Sequence, residues 1–249
     1  MPFKRYLCRA ILTNDKSKPT IMKKLSLLTL LVMLLCVACH KPAPKPTPDT
    51  PDKPVVPPAN PEKVWMTKKM TIDATDYTKW VYLNFTTGKL VEVTDPANDL
   101  SWDLGLHRYD FKTNGGESGK GKGAAVRITK QKVLTADIPT PEDSEWTLDR
   151  QGVLLMQFED DGLGSHRTKY EMQEANFLLS SECDGYGGFL NKGIIWQEGM
   201  PPQVYWDNAI YLVRSASGEI ARLRVLDFQD NKKHRGYITI EYAIQVDKK

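Results

Sequence analysis

Alternating apolar and polar residues recur in short runs over most of the chain. The clearest run spans 237–246, where Tyr, Ile, Thr and Val occupy most positions. A two-residue period predicts a strand with one face in a core, and these residue types favour strands. The same pattern predicts strands, in chain order, at 80–85, 89–93, 102–111, 124–129, 153–159, 168–179, 194–197, 204–214, 220–228 and 236–246.

Glycine-, asparagine- and aspartate-rich segments separate these runs. The segment Thr86-Thr87-Gly88 between the first two predicts a hairpin, and turns are expected at 160–164, 215–218 and 230–233. No window of ten residues carries a clear helical stripe, although 171–179 fits either a short helix or a strand. The pattern predicts a mainly β fold, with a single antiparallel β-rich domain over residues 62–249.

Residues 1–38 differ from the rest of the chain. Lys23 and Lys24 precede an apolar run at 25–35 and then Cys36-Val37-Ala38-Cys39. A basic start, a short apolar stretch and small residues are typical of an export signal. Cysteine after Val-Ala indicates a bacterial lipoprotein signal with Cys39 as the lipidated residue, and an ordinary secretory signal is the alternative. Translation is expected to start at Met22, because residues 1–21 resemble no targeting segment.

Residues 39–61 are expected to form a tether. The stretch 40–61 holds nine prolines among Lys, Ala, Thr and Asp, so it cannot bury a core. Charge supports the same division of the chain. Residues 39–249 carry 27 basic and 30 acidic side chains, although the whole chain carries 34 and 31. The basic excess thus belongs to the leader, which removes the compositional case for nucleic-acid binding.

Few residues of the sequence indicate a catalytic, metal-binding or nucleotide-binding site. Cys183 is the one cysteine after Cys39, so no disulfide can form within the domain, and it is expected to be buried. The run 116–123 nearly matches a phosphate-binding loop, but it lacks the final Ser/Thr and precedes a strand pattern, so a basic connecting loop is favoured. His107 is interpreted as structural, bonded to backbone, Asp103 or Asp110. No nucleophile or acid–base pair is indicated, and we expect no enzyme.

Two glycine-containing stretches, 163–172 and 183–202, carry most of the remaining candidates. The second combines glycines with Tyr186, Phe189, Ile194, Ile195 and Trp196. Large apolar side chains on such a backbone suit a surface that closes on a flat apolar ligand. An irregular hairpin packed on its own core fits the sequence equally well.

Several short motifs in a fixed order resemble the HmuY family of haem-binding surface lipoproteins. They include 71–82, 98–103, 106–110 and 116–123, followed by Tyr170-Glu171-x-Gln173 and 227–230. The resemblance implies a hand-like all-β fold that grips haem b between loops. It also implies a lipid anchor on the outer membrane and delivery of haem to a TonB-dependent receptor. Shedding of the domain from the membrane is left open. Host haem proteins are a further candidate partner.

In the family, histidines or methionines ligate the iron. His166 falls on one family histidine position, whereas the second has no counterpart and Met200 lies close to it. If 165–172 is extended, His166 and Met172 lie roughly 20 Å apart and are alternatives for one side of one iron. Met172 with Met200 is favoured, and His166 with Met200 is the alternative. Met156 is interpreted as a core residue.

Other site residues are predicted from position. Tyr186, Phe189 and Trp196 could cover the haem ring, and Arg167, Lys169 and Lys192 could meet its propionates. The rival hypothesis is a surface lipoprotein that binds a glycan or a protein with the same aromatic loops and no iron.

Overall fold

A computed structural model describes residues 62–160, 166–199 and 203–248. Within them the chain forms antiparallel strands and one 3-10 turn at Asp143–Glu145, and no α-helix occurs in these ranges. The mainly β prediction is therefore confirmed. The strands are β1 Lys63–Asp73, β2 Val81–Asn84, β3 Lys89–Val91, β4 Leu104–His107, β5 Asp110–Thr113, β6 Ala124–Ile128, β7 Arg150–Asp160, β8 His166–Ala175, β9 Glu182–Cys183, β10 Phe189–Asn191, β11 Ile195–Glu198, β12 Gln203–Trp206, β13 Ile210–Arg214, β14 Ile220–Gln229 and β15 Arg235–Asp247.

The largest sheet has five strands in the order β1-β15-β14-β13-β6. Strand β1 was missing from the sequence prediction, although it pairs with β15 from Lys63↔Asp247 to Asp73↔Tyr237. It was missed because it lies at the sheet edge, where most of its side chains remain accessible and the alternation is weak. Its partner β15 is the strand that the pattern predicted most clearly.

A second sheet has the order β3-β2-β4-β5, and its first hairpin turns at 86–88 as predicted. The prediction of one strand over 102–111 was wrong, because the chain reverses between β4 and β5. Arg108 takes a positive φ of 51° there. Its guanidinium lies 4.3 Å from the centre of the Tyr77 ring and donates to the Thr75 carbonyl. Distant partners stabilise this turn, so local sequence gave no signal for it.

The prediction of one strand over 204–214 was also wrong. Strand β12 ends at Trp206 and β13 begins at Ile210. Between them the Asp207 carboxylate accepts a hydrogen bond from the Ala209 amide at 3.0 Å. An aspartate that bonds the backbone two residues later forms a local turn and interrupts a strand. The segment 171–179, which fitted a short helix or a strand, is a strand to Ala175. The predicted strand over 168–179 is therefore wrong at its end, where residues 177–179 form a turn.

One hydrophobic core joins the two larger sheets. Buried residues from the four-stranded sheet, such as Leu83 and Leu106, meet Leu223 and Ile240 of the five-stranded sheet. Full burial of each such side chain stabilises the fold by about 1.5–3 kcal/mol. Cys183 is buried as expected, and burial raises the pKa of its thiol to about 12.

The run 116–123, a loop rich in glycine and lysine, lies between β5 and β6, so a strand and not a helix follows it. This arrangement excludes the phosphate-loop interpretation, which requires a helix N-terminus. Asn114 holds the loop, because its side chain donates to the carbonyls of Asp99 and Trp102 and accepts from the Gly121 amide. A Cβ on Gly123 would lie 2.5 Å from the Asn114 backbone, so the close approach requires glycine. The loop is packed framework.

Candidate functional site

Three two-stranded hairpins, β7–β8, β9–β10 and β11–β12, carry the described residues of the predicted site. We call them the hairpin cluster. On one side, Arg150 of β7 pairs with Glu182 of β9 at 2.7 Å. On the other, Lys192, just after β10, pairs with Glu198 of β11. These ion pairs link each hairpin to the next one along the chain.

The β7–β8 hairpin presents Met172 to solvent. Met172 pairs with Val153 and is 62% exposed, whereas the next residue of β7, Leu154, is fully buried. Alternation along a strand explains this contrast, because successive side chains point to opposite faces. Met156 packs with Leu154, Ala175 and the cluster around Phe177, in agreement with its interpretation as core.

Other ligand candidates lie partly or wholly outside the described structure. The backbones of His166 and Arg167 belong to β8, where His166 pairs with Asp160 and Arg167 with Glu159. Their side chains and the whole of Met200 are outside the described residues. The structure therefore leaves the choice between His166 and Met172, and the role of Met200, as predictions.

The β9–β10 hairpin ends in an exposed tyrosine. Tyr186 is 96% exposed and lies between Gly185 and Gly187, which have φ angles of 84° and 97°. Glycine is needed at both positions because other residues rarely adopt positive φ. The Asp184 carboxylate fixes this turn by accepting from the amides of Tyr186 and Gly188.

Phe189 and Leu190 extend the apolar surface of this hairpin, with exposed fractions of 43% and 67%. Tyr170 of β8 approaches the same turn, since its hydroxyl lies 3.4 Å from the position that a Cβ on Gly187 would take. Burial raises the pKa of the Tyr170 hydroxyl, with a smaller contribution from nearby Cys183. The tip of β9–β10 thus lies against the β7–β8 hairpin.

The β11–β12 hairpin carries a stacked aromatic pair. Trp196 and Tyr205 are opposite each other in the ladder, with ring centroids 6.0 Å apart and planes inclined by 23°. The Nζ atom of Lys192 lies 5.5 Å from the centre of the Trp196 ring and forms an ion pair with Glu198. A propionate that binds Lys192 must therefore compete with the Glu198 carboxylate.

A cavity of about 450 Å³ adjoins this hairpin and is lined by Trp196, Trp206, Lys192 and Arg127. Arg127 is held by Asp207, whose carboxylate also accepts from the Tyr211 hydroxyl at 2.8 Å. The sequence pattern did not indicate Tyr205, Trp206 or Leu190 as candidate site residues. Tyr205 and Trp206 were assigned to a continuous framework strand, so the exposure of their rings, 41% and 37%, was not foreseen.

The chemistry of these side chains fits haem. The thioether of Met172 is a known type of haem-iron ligand, and it is exposed on a strand rather than packed in the core. Exposed aromatic and aliphatic side chains on the two neighbouring hairpins suit a flat apolar ring. Among the side chains that the structure describes, those of residues 62–157, 168–199 and 203–248, no cluster of three or more His, Cys, Asp and Glu residues could hold a bare metal ion.

His107 is structural, as interpreted. It is fully buried, its Nε2 lies 2.8 Å from the Tyr77 carbonyl oxygen, and its Nδ1 lies 3.7 Å from the Asp110 carboxylate. His234 is on an exposed turn and pairs with Asp230. In the part of the chain that the structure describes, no helix is long and apolar enough to cross a membrane.

Solved structures share this fold. A candidate lipoprotein from Bacteroides fragilis is 25% identical with a TM-score of 0.50, and the match covers 71% of this chain and 88% of that one. An apo HmuY analog from Tannerella forsythia is 20% identical with a TM-score of 0.54, covering 74% and 98%. A Bacteroides vulgatus protein described as HmuY-like and haem-binding is 24% identical, with a TM-score of 0.49 and coverage of 71% and 90%.

No curated protein matches the chain. The family model described as HmuY protein matches residues 76–242, which include the whole four-stranded sheet, part of the five-stranded sheet and the whole hairpin cluster. HmuY is a family of binding proteins rather than of enzymes. The resemblance inferred from the sequence motifs is therefore confirmed, and the chain belongs to the HmuY family.

Proposed function

We propose that the protein binds haem b at the hairpin cluster and passes it to a TonB-dependent receptor for haem and iron acquisition. The proposal rests on the exposed thioether of Met172, and on the exposed aromatic side chains of the β9–β10 hairpin, whose tip lies against the β7–β8 hairpin, in a chain of the HmuY family. Anchoring through a lipid on Cys39, at the outer-membrane surface, belongs to the same proposal. It is supported by the signal pattern before Cys39 and by the candidate lipoprotein among the similar structures.

Met172 and Met200 are the proposed axial ligands, with His166 as the alternative to Met172. Strand β8 is extended from His166 to Ala175, which supports the view that His166 and Met172 are too far apart to grip one iron from opposite sides. When bound, haem would supply an iron centre able to accept a thioether or an imidazole. The protein would supply those donors and exclude water from the ring.

The remaining proposed roles concern the rest of the cofactor. Tyr186 and Phe189 are exposed and free to cover an apolar ring, and Trp196 lies on the neighbouring hairpin. Lys192 and Arg167 are proposed to meet the propionates, because Lys and Arg pair well with carboxylates. Lys192 would exchange its Glu198 partner for a propionate.

A second function deserves a test because of the Trp196–Tyr205 stack. Stacked aromatic rings on this hairpin offer a surface for a sugar ring or for a partner protein without any iron. The rival proposal is therefore a glycan- or protein-binding surface lipoprotein of the same fold.

A haem titration of the full chain separates the two proposals. We expect a sharp Soret band with resolved α and β bands, lost or shifted in Met172→Ala and in Met200→Ala. His166→Ala should keep the wild-type spectrum if the two methionines are the ligands, and should lose it if His166 replaces Met172. Met156→Leu is the matched control, because Met156 packs in the core of the same hairpin.

Only weak, nonspecific absorbance in the wild type would reject haem binding and favour the rival. Trp196→Ala then provides the complementary measurement, in a glycan-binding assay with the same preparation. Loss of glycan binding in that variant, without any haem spectrum in the wild type, would establish the rival function.

A further inference from the structure

A cavity of about 800 Å³ lies beside the five-stranded sheet, where residues 135–140 pass over β14 and β15. None of the residues assigned above to the haem site lines it. Its volume is in the range of small-molecule binding sites, roughly 300–1,000 Å³. The cavity is thus a candidate for a second ligand that is separate from the hairpin cluster.

Arg222 is the distinctive residue of this cavity. It is 6% exposed, and its neighbours Ala221 and Leu223 pack into the main core, so alternation directs Arg222 to the opposite face of the sheet. Its guanidinium carbon lies 3.8 Å from the centre of the Trp65 ring. Its Nη1 donates to the carbonyls of Leu134 and Ala136, which hold the covering segment in place.

The described residues give the Arg222 guanidinium no carboxylate within ion-pair distance, although the charge of Asp137 acts on it from farther away. No carboxylate of residues 62–157, 168–199 and 203–248 forms an ion pair with it, and both of its hydrogen bonds use the same nitrogen, Nη1. Burial lowers the pKa of Arg222, and the nearby charge of Asp137 opposes that shift. A buried charge normally carries a partner, because leaving water costs it solvation energy.

An anion in the cavity would compensate this charge. The Nε and Nη2 atoms of Arg222 have no acceptor in the same described ranges, and a guanidinium edge matches the two oxygens of a carboxylate. Trp65 lies against the guanidinium, and Ile220 and Pro139 add apolar lining to the cavity. The site therefore combines a buried guanidinium with an apolar wall on one side of an otherwise largely polar lining.

The rim of the cavity limits the charge of the ligand. Asp137, Glu219 and Asp247 line it, against the two cations Lys63 and Arg222. Three carboxylates disfavour any second negative charge on a ligand. We propose that this cavity binds a small apolar monocarboxylate whose carboxylate pairs with Arg222.

Calorimetric titration of the full chain with naphthaleneacetate tests the proposal. The matched probe is naphthaleneacetamide, which has the same ring and no charge. A charged hydrogen-bonded pair predicts that the acid binds roughly 10- to 100-fold more tightly than the amide. Equal affinities would overturn the proposal, and so would tighter binding of naphthalenedicarboxylate than of the monocarboxylate.

Two variants test whether naphthaleneacetate binds at Arg222. Arg222→Met should remove the preference for the acid, whereas Arg214→Met should keep it. Arg214 is a matched control, since it also stacks on a tryptophan, Trp146, at 4.0 Å, but it does not line the cavity. Retention of the preference in Arg222→Met would contradict the assignment.

A second variant decides the question if circular dichroism shows that Arg222→Met does not fold. Ile220→Trp adds bulk at the partly buried cavity wall, so it should abolish binding of the acid. Unchanged binding in Ile220→Trp would overturn the placement. Displacement of naphthaleneacetate by haemin in the wild type would overturn it too, because the probe would then occupy the hairpin cluster.

Discussion

The ammonium of Lys112 lies 4.4 Å from the centre of the Trp80 ring, and the residue is only 5% exposed. Tyr82 and Trp102 present their rings at 5.2 Å and 5.8 Å. Gly105 is opposite Lys112 in the ladder, and a Cβ there would lie 2.9 Å from the Lys112 side chain. Glycine on β4 thus lets a lysine of β5 cross the sheet surface and reach the three aromatic rings.

This arrangement predicts that stability increases with pH above about 8. Burial lowers the pKa of Lys112 to about 8, against the opposing charges of Glu174 and Asp149. Between this pKa and the ordinary value of 10.5, the unfolded chain binds more protons than the folded one, so the free energy of unfolding rises with pH. We expect a gain of about 1 kcal/mol from pH 8 to pH 9.

Urea unfolding at pH 7.5, 8 and 9 measures this gain. Lys112→Met should flatten the pH dependence, and Lys69→Met, on an exposed lysine of β1, should leave it unchanged. Cys183 limits the pH range of this gain. Its thiol has a pKa of about 12 in the folded protein against 9.0 in the unfolded chain, so above pH 9 it lowers the stability as the pH rises. An unchanged slope in Lys112→Met would show that another group controls it.

A buried carboxylate gives the opposite dependence in acid. Burial raises the pKa of Asp149 to about 6, although Thr113 donates both its amide, at 2.7 Å, and its hydroxyl, and Asn176 donates at 2.9 Å. Between pH 3.8 and 6 the folded protein binds more protons, so this group's contribution to stability decreases as the pH rises.

Asp149→Asn should remove that acid dependence. At pH 7 the variant should be destabilised by about 1–3 kcal/mol, because an amide cannot accept from all three donors and one remains unpaired. Asp143→Asn is the control, since the Asp143 side chain is 97% exposed and its ion pair with Arg214 should contribute little. Equal losses in the two variants would contradict the role given to burial.

His107 should contribute to stability rather than to haem binding. His107→Ala removes a fully buried ring and the hydrogen bond to the Tyr77 carbonyl, so we expect a loss of about 2–4 kcal/mol in the free energy of unfolding. Haem spectra of the folded fraction should match those of the wild type, and His234→Ala, on an exposed turn, should change neither quantity. Normal stability with a lost haem spectrum would reverse this assignment.

Methionine ligation predicts a preference for reduced haem. A thioether ligand raises the haem potential, so ferrous haem should bind more tightly than ferric haem. Met172→Leu, which conserves volume, should abolish this preference, while Met156→Leu should retain it. Titrations with and without dithionite provide the comparison. Equal affinity for the two oxidation states in the wild type would count against a pair of methionines.

The sequence predicted the class of fold because strand alternation is a local property. Strands β2, β3, β6, β14 and β15 lie within two residues of their predicted positions. The motif residues also predicted the family. Asp103, one of these motif residues, connects distant parts of the chain. Its buried carboxylate accepts hydrogen bonds from the amides of Phe85 and Ala216, 18 and 113 residues away.

Only the tertiary structure decided where strands break and which hairpins meet. The reversal at Arg108 depends on Tyr77 and Thr75, and edge strand β1 is defined by its pairing with β15. Likewise, the adjacency of β7–β8, β9–β10 and β11–β12 follows from long-range contacts such as the Arg150–Glu182 ion pair. Local alternation determines that a segment is a strand, whereas exposure of Met172, Tyr186 and Tyr205 depends on which neighbours cover each face.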